Sequence, residues 1–490
     1  MVAEAVGTPR RARCVVVGGG LAGLELAKEL TGQDIDVRVL EAGPSDGIEH
    51  VNQEHGAAGA LELSFDPVRD KHFHRPWRSE SAPHYTANSG LRRRLGGRSL
   101  YWHGVALPIE EWALREPWWP REVVDDLTSS WRGGPPLYQR LAEQLGLPEV
   151  GLPTDDRQRA GAVAVGGVDF HRTPRACVVE PGGGRRWRAY SPLTSWPGGG
   201  QLLSSSEVLR VELRDGAVSG VLWRPTGTDR PERIAADAVV LCAGTIENNR
   251  LAIQALVEVG RLPEPKLTGL NDHLVQGFAV KVPARVTERA EFGVEPGSYV
   301  ARADVGARSY LRFDVHPTAT GLLLDVRMTG EQLPHEDSYV RCRPEPRYPW
   351  RTWVRSGLSA ADREVVDGQR AALDAFWAEL AHQLGLPAAA LEFGDFDRPE
   401  RDNTFLLPQT FDPVPELAPV TWTSLLGTED HEGGGLAIGE VLDPSHEFRA
   451  VPGLYAAGPA TFPRAGAANP SLTTLALAHR LAGVLAERYG

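Results

Sequence analysis

The stretch RCVVVGGGLAGLELAKEL, residues 13–30, decides the fold. Cys14 to Val17 form a short, apolar, β-branched run of the kind that makes a buried strand. Gly18, Gly20 and Gly23 follow as G-x-G-x-x-G, and Leu24, Leu26, Ala27 and Leu30 continue as a helix. A second strand, DVRVLEAG over 36–43, brings Glu41 to its end, 18 residues past Gly23. A dinucleotide needs this order of residues. Gly18 permits the tight turn, Gly20 lets the backbone approach a pyrophosphate, and Gly23 lets helix and strand pack closely. Leu21 and Ala22 open a helix whose free N–H groups and positive dipole end face the phosphates. Glu41, next to Ala42, is placed to accept from ribose hydroxyls, and its charge disfavours a 2′-phosphate. This stretch alone fits FAD or NAD.

Three further segments have the character of returns to that site. LRRRLGGRSLYWHGVALP, 91–108, is rich in Gly, aromatic and imidazole groups and suits the face of a flat ring. IAADAVVLCAGTIENNRLAIQA, 234–255, repeats the order strand, glycine turn (Ala243, Gly244), helix. Before it, LLSSSEVLRVELRDGAVSGVLWRP, 202–225, alternates about an Asp–Gly turn and predicts a β-hairpin. Near the C-terminus a strand over Leu454–Ala457 turns through Gly458 and Pro459, and RAGAANPS leads into a last helix. Asn469 and Pro470 stand at N-cap and first-turn positions of that helix, where both residue types are favoured.

The 490 residues suffice for two domains, or for one large α/β protein with an insertion. A hydrophobic content of 42% with 24% charged residues is that of a globular protein. The formal net charge of −12 leaves no basic excess to neutralise phosphates and so excludes a nucleic-acid partner. Cys14, Cys177, Cys242 and Cys342 are scattered, without metal spacing; they read as free thiols, and no metal site is expected. No window is apolar enough to span a membrane and the N-terminus lacks a signal-peptide core, so a cytoplasmic location is expected.

The fingerprint GGGLAG with VLEAG, the loop GGRSLYWHG, the turn VVLCAGTIEN, the piece TGLNDHL and the close ANPSLTTLALAHRLA appear in one order. Together they resemble the glucose–methanol–choline (GMC) oxidoreductases, flavoenzymes that oxidise alcohols. Within that family the look is nearest the pyranose-oxidase and cholesterol-oxidase branches, where an Asn in an Asn–Pro pair partners the catalytic histidine. The resemblance implies a proton-accepting role for His431, in LLGTEDHEGGG, and a substrate-holding role for Asn469, 38 residues on. It implies FAD lined by Gly18, Gly20, Leu21, Ala22, Gly23, Glu41 and Ala42. From the ring-facing loop it adds Gly97, Ser99, Trp102, His103, Gly104 and Val105. From the later turns it adds Val208, Ala243, Gly244, Gly458, Pro459, Asn469, Pro470 and Leu472. Tyr101 stands where the pyranose branch carries its flavin-linking histidine, so non-covalent FAD is expected, with His103 as a lesser candidate for linkage. His273 matches a position that is usually structural. His72, His74 and His84 are candidates for the entrance, and the Trp-rich EEWALREPWWP for packing at a domain boundary.

The expected architecture is α/β, α+β overall. A Rossmann-like FAD domain takes 1–50, 80–110, 200–275 and 425–490. A substrate domain of 51–79, 111–199 and 276–424 carries a largely antiparallel sheet, including GFAVKVPARV and SYLRFDVHP, and a Ser-capped helix near 359–384. Its polar composition favours a secondary hydroxyl of a sugar, glycoside or similar polyol. A sterol-like alcohol, or a flavin lyase on the same fold, is the alternative. The acceptor is dioxygen or another oxidant. The oligomeric state is not readable from the chain.

Overall fold

A computed structural model describes residues 11–65, 67–81, 89–147, 163–179, 187–196, 201–301, 307–394, 414–424, 426–427 and 429–490. The architecture is mixed α/β. Its first sheet grows from β1 (Arg11–Val17), whose last four residues are buried. It pairs in parallel with β2 (Val37–Leu40) and, on its other side, with β6 (Glu232–Leu241). Between them α1 (Leu21–Thr31) makes the crossover. The strand β3 (Gln201–Leu203) adds outside β2. β4 (Ser206–Arg214) and β5 (Ala217–Pro225) form the hairpin about Asp215 and Gly216, both at positive φ. On its edge away from β1, β6 serves two neighbours. Its first residues pair antiparallel with β5, and Val239–Leu241 pair in parallel with β12 (Leu454–Ala456). The C-terminal ends of β1, β2, β6 and β12 therefore lie side by side, the edge at which open α/β sheets bind ligands.

A second, antiparallel sheet is built on β7 (His273–Pro283), which pairs along its whole length with β10 (Gly321–Glu331). β9 (Ser309–Pro317) pairs β10 on the other side, followed by β8 (Gly297–Ala301) and two short strands at 163–172; β11 (Val420–Thr423) closes the β7 edge. One face of this sheet packs Phe313, Val326, Met328 and neighbours against Leu373, Phe376, Trp377 and Leu380 of α3 (Ala360–Leu384). Ser359 caps that helix in a capping box with Asp362. GFAVKVPARV is not strand throughout: β7 stops at Pro283, and a short helix, α2 (Ala284–Arg289), follows. Proline has no N–H to extend the ladder, and its fixed φ suits the start of a helix. The break between the two sheets falls just before His273, inside the span 200–275 assigned to the FAD domain.

The last helix, α4 (Ser471–Tyr489), packs along α1. A buried carboxylate ties them. Glu25, fully enclosed, takes Lys28 Nζ at 2.8 Å, His479 Nε2 at 2.9 Å and the Tyr190 hydroxyl. Burial alone would raise its pKa, but His479 and Lys28 win and hold it down at about 2. Glu25→Ala leaves the cation and the imidazole buried without their acid. Such losses cost about 3–5 kcal/mol, so a denaturant midpoint that falls accordingly is the expected result. Among the described residues no helix is long and apolar enough to cross a membrane.

Candidate active site

The edge formed by β1, β2, β6 and β12 opens into a cavity of about 1360 Å³ that continues beneath the antiparallel sheet. That exceeds the roughly 300–1,000 Å³ of a drug-sized pocket. Gly18, Gly20, Leu21, Ala22, Glu41, Ala42, Gly97, Ser99, Trp102, His103, Val105, Val208, Ala243, Gly244, Gly458, Pro459, His431, Asn469 and Pro470 all line it. Gly23, Gly104 and Leu472 do not. A Cβ on Gly23 would sit 2.1 Å from the Gly18 carbonyl oxygen, and one on Gly104 would sit 2.4 Å from Cys177 Sγ. Those two glycines close the backbone behind the lining, and Leu472 is buried in the core.

The phosphate turn is shaped for a close-lying group. A Cβ on Gly20 would meet no protein atom within 4 Å, so that backbone faces open cavity, and Gly97 stands across from it. Glu41 is less free than the sequence implied. Its two carboxylate oxygens already accept from Gly19 N at 2.9 Å and Gly43 N at 2.6 Å. Burial raises its pKa against those bonds. Glu41 thus braces the turn, and only its remaining lone pairs face the cavity. Trp102 is fixed by its indole N–H to Tyr190 O at 2.8 Å, with His50 Nε2 at 3.0 Å from its own carbonyl. His103 lies against Trp187 at the cavity, and desolvation there, with Arg175 and Arg312 nearby, lowers its pKa. The Tyr101 ring is covered by the Arg92 and Arg94 guanidinium groups.

His431 is set by its neighbours in sequence and in space. Asp430 and Glu432 both grip Arg98 of the GGRS loop, which ties the histidine's loop to the ring-facing loop. Asn271 and Gly433 form an antiparallel bridge, with N–H···O distances of 3.0 and 2.9 Å. Two residues beyond such a pair in each direction, side chains again stand opposite on the same face. Those residues are His273 and His431, and their Nδ1 atoms are 2.9 Å apart.

Asn469 sits 3.2 Å from His431 Nε2 through Nδ2, and its Oδ1 accepts the Tyr310 hydroxyl at 3.0 Å. Tyr310 holds the amide oxygen, so the amide N–H points at His431 Nε2. That nitrogen then carries a lone pair, and the His431 proton lies on Nδ1, toward His273. Burial, the neighbouring His273 and Arg98 together push the His431 pKa well below the ordinary imidazole value, so the ring is neutral at pH 7. The arrangement presents an unprotonated nitrogen and a fixed amide to one small volume.

Asn469 is not a helix cap. The helix opens at Ser471 with Pro470 in the N-cap position (φ −73°, ψ −11°) and without a side-chain cap bond. The Asn469 side chain is committed to Tyr310 and His431 instead. Tyr310 and the His273 contact escaped the sequence reading, although the TGLNDHL segment carrying His273 stood out. His74 lines the cavity, His72 is buried away from it, and His84 lies outside the described residues. Trp119 is buried with its indole N–H on Arg464 O, and Trp112 stacks on the Arg464 guanidinium, which is itself clamped by Glu331.

Beneath the Asn469 loop, buried Glu110 accepts from Ala467 N at 3.0 Å. Burial, with Glu331 nearby, pushes its pKa up from 4.5 to about 7. A raised carboxyl pKa stabilises the fold below the unfolded value and loses that contribution as pH rises through the folded one. Between pH 4.5 and about 7 the protein is expected to lose stability at up to about 1.4 kcal/mol per pH unit from this group. Glu110→Gln should flatten that part of a melting-temperature profile.

Residues 334–478 match the family model for GMC oxidoreductases. No curated protein sequence matches the chain. Among solved structures, the crystal structure of pyridoxine 4-oxidase from Mesorbium loti superposes with a TM-score of 0.59 over 96% of this chain and 99% of that one. At 18% identity this is a likeness of fold.

Proposed function

We propose that this chain, whose residues 334–478 match the GMC oxidoreductase model, is an FAD-dependent alcohol oxidoreductase that oxidises a secondary hydroxyl of a sugar, glycoside or similar polyol, with His431 as base and Asn469 as the group that holds the substrate oxygen. The observation that carries this reading is the His431–Asn469 pair, 3.2 Å apart and open to a cavity that also contains the glycine turn. The glycine turn, Glu41 and the helix start at Leu21 would hold the nucleotide end of FAD, and Trp102, His103 and the Pro459 and Pro470 turns its ring end. Bound there, FAD supplies an acceptor for the hydride that leaves the alcohol carbon. The chain's residues handle the proton and the position. His431 Nε2 takes the hydroxyl proton, and the charge formed on the ring is shared through Nδ1–H with His273. Asn469, oriented by Tyr310, donates to the oxygen whose negative charge grows during the reaction. The start of the last helix adds a positive dipole end on the same side, worth about 0.3–2 kcal/mol.

The polar choice of substrate rests on the polar part of the cavity lining that β8, β9 and β10 supply. Ser298, Arg312, Asp314, Asp325 and Arg327 form it. A sterol would desolvate these groups without replacing their hydrogen bonds, a cost of about 1–3 kcal/mol for each group left unpaired. Tyr101 is enclosed by two arginines, which supports non-covalent FAD. The test is an anaerobic screen of sugars, glycosides and sterols on the purified, yellow protein, read as bleaching of the flavin absorbance. Bleaching by polyols and not by sterols is expected. Turnover without bleaching would point to a lyase. Acid release of all flavin into the supernatant is expected for non-covalent attachment.

A further inference from the structure

The cavity that His431 lines also holds an arginine that no acid pairs. On β9, alternate residues point to one face: Leu311, Phe313 and Val315 enter the core, while Arg312, Asp314 and His316 line the cavity with Tyr310 behind them. Arg327 and Asp325 of β10 stand directly opposite Arg312 and Asp314. Asp314 binds Arg312 at 2.9 Å and reaches Arg327 at 3.9 Å, and Asp325 binds Arg327. These two acids and two arginines account for one another. Glu429, the further acid here, accepts the Ser424 hydroxyl at 2.9 Å and bears on Arg327.

Arg175 is left over. Its backbone bridges Val105, at the end of the ring-facing loop, and its side chain lines the same cavity. None of its guanidinium nitrogens has a hydrogen-bond or ion-pair partner among the described residues, and its Nε is buried. Burial, with Arg312 and Arg327 nearby, lowers its pKa against the already shared Asp314 and the Cys177 thiol. A guanidinium whose buried Nε has no partner is costly, and the group that best repays it is a planar carboxylate taken by two parallel N–H bonds.

We infer that the substrate is an alcohol bearing a carboxylate, which Arg175, with Arg312 beside it, receives while the hydroxyl sits at His431 and Asn469. This rests on the alcohol-oxidation reading above and narrows it. One unpaired guanidinium matches one negative charge, which favours a carboxylate over a phosphate dianion. Tyr310, which touches Asn469, and Arg312 are two residues apart on one strand face, about 7 Å. The carboxylate and the oxidised carbon are therefore several bonds apart, as in a sugar acid, rather than adjacent as in a 2-hydroxy acid.

The test uses the FAD-loaded enzyme and two kinds of matched pair. Acetate against acetamide, read as perturbation of the flavin spectrum, needs no oxidation. Glucuronate against glucose, read as anaerobic bleaching, adds the reaction. The acidic member of each pair is expected to act at least about ten-fold more tightly on the wild type. Arg175→Met should bring the ratio toward one, and Arg175→Lys, which keeps the charge and loses the fork, should fall between. FAD content and melting temperature report whether the methionine variant folds, and if it does not, the wild-type ratios and the lysine variant decide. Equal ratios in the wild type, or a ratio unchanged by both substitutions, would overturn the inference. So would a variant that loses FAD affinity while its acid preference stays, since the guanidinium would then serve the cofactor. If acetate perturbs the flavin and no alcohol bleaches it, the anion site stands and alcohol oxidation falls.

Discussion

His431→Ala is expected to slow anaerobic flavin reduction by substrate roughly 100- to 10,000-fold, the range a positioned general base contributes, with FAD content unchanged. His431 is suited to that work before substrate arrives. Burial keeps it neutral, Asn469 faces its Nε2, and its other nitrogen is tied to His273. Because its pKa lies below the ordinary imidazole range, the acid limb of the reduction rate should lie below pH 6.5, and the rate should hold as pH falls through that value. Stopped-flow reduction over pH, at saturating substrate, checks both statements. A variant that reduces flavin at the wild-type rate would remove His431 from the chemistry.

Gly23→Ala and Gly20→Ala should part company. The new methyl on Gly23 would lie 2.1 Å from the Gly18 carbonyl oxygen and 3.1 Å from Val16 Cγ1 and Cys242 Cβ. Strand, turn and helix cannot all keep their places, and overpacking of this kind costs about 3 kcal/mol. The variant should unfold at lower denaturant and be purified without flavin. On Gly20 the methyl meets nothing in the protein within 4 Å. That variant should match the wild type in stability as apoprotein and lose affinity for FAD alone, because the methyl enters the space left for the pyrophosphate. Denaturant unfolding of both apoproteins, with an FAD titration, separates the two. A Gly20→Ala protein that binds FAD as well as the wild type would move the cofactor away from this turn.

The parts legible in the sequence are those written in local patterns. The strand, glycine turn and helix from Cys14 to Leu30 needed only periodicity and three glycines. The hairpin about Asp215–Gly216 and the Ser359 cap needed only turn and cap chemistry. The unread parts are made by chain segments that meet from far apart. His273 and His431 are 158 residues apart, and it is the backbone bridge between Asn271 and Gly433 that brings their rings together. Tyr310 lies in an alternating strand whose inward and outward faces sequence cannot assign without knowing what covers each. Asn469 fits a capping pattern, yet its side chain turns to Tyr310 and His431 instead of the helix end, and Pro470 takes the cap position. Glu41 ends a strand, the position of a ribose ligand; its bonds to Gly19 and Gly43 come from the tight turn itself.

The central claim is that an alcohol carbon gives up its hydrogen to bound flavin while His431 takes the hydroxyl proton. The most direct measurement is anaerobic bleaching with the best alcohol from the screen, protiated against deuterated at the carbinol carbon. The account predicts slower bleaching of the deuterated substrate in the wild type, and a much slower reaction in His431→Ala that still shows the isotope effect. Product formed at the same rate from both substrates, with the flavin left oxidised, would contradict it.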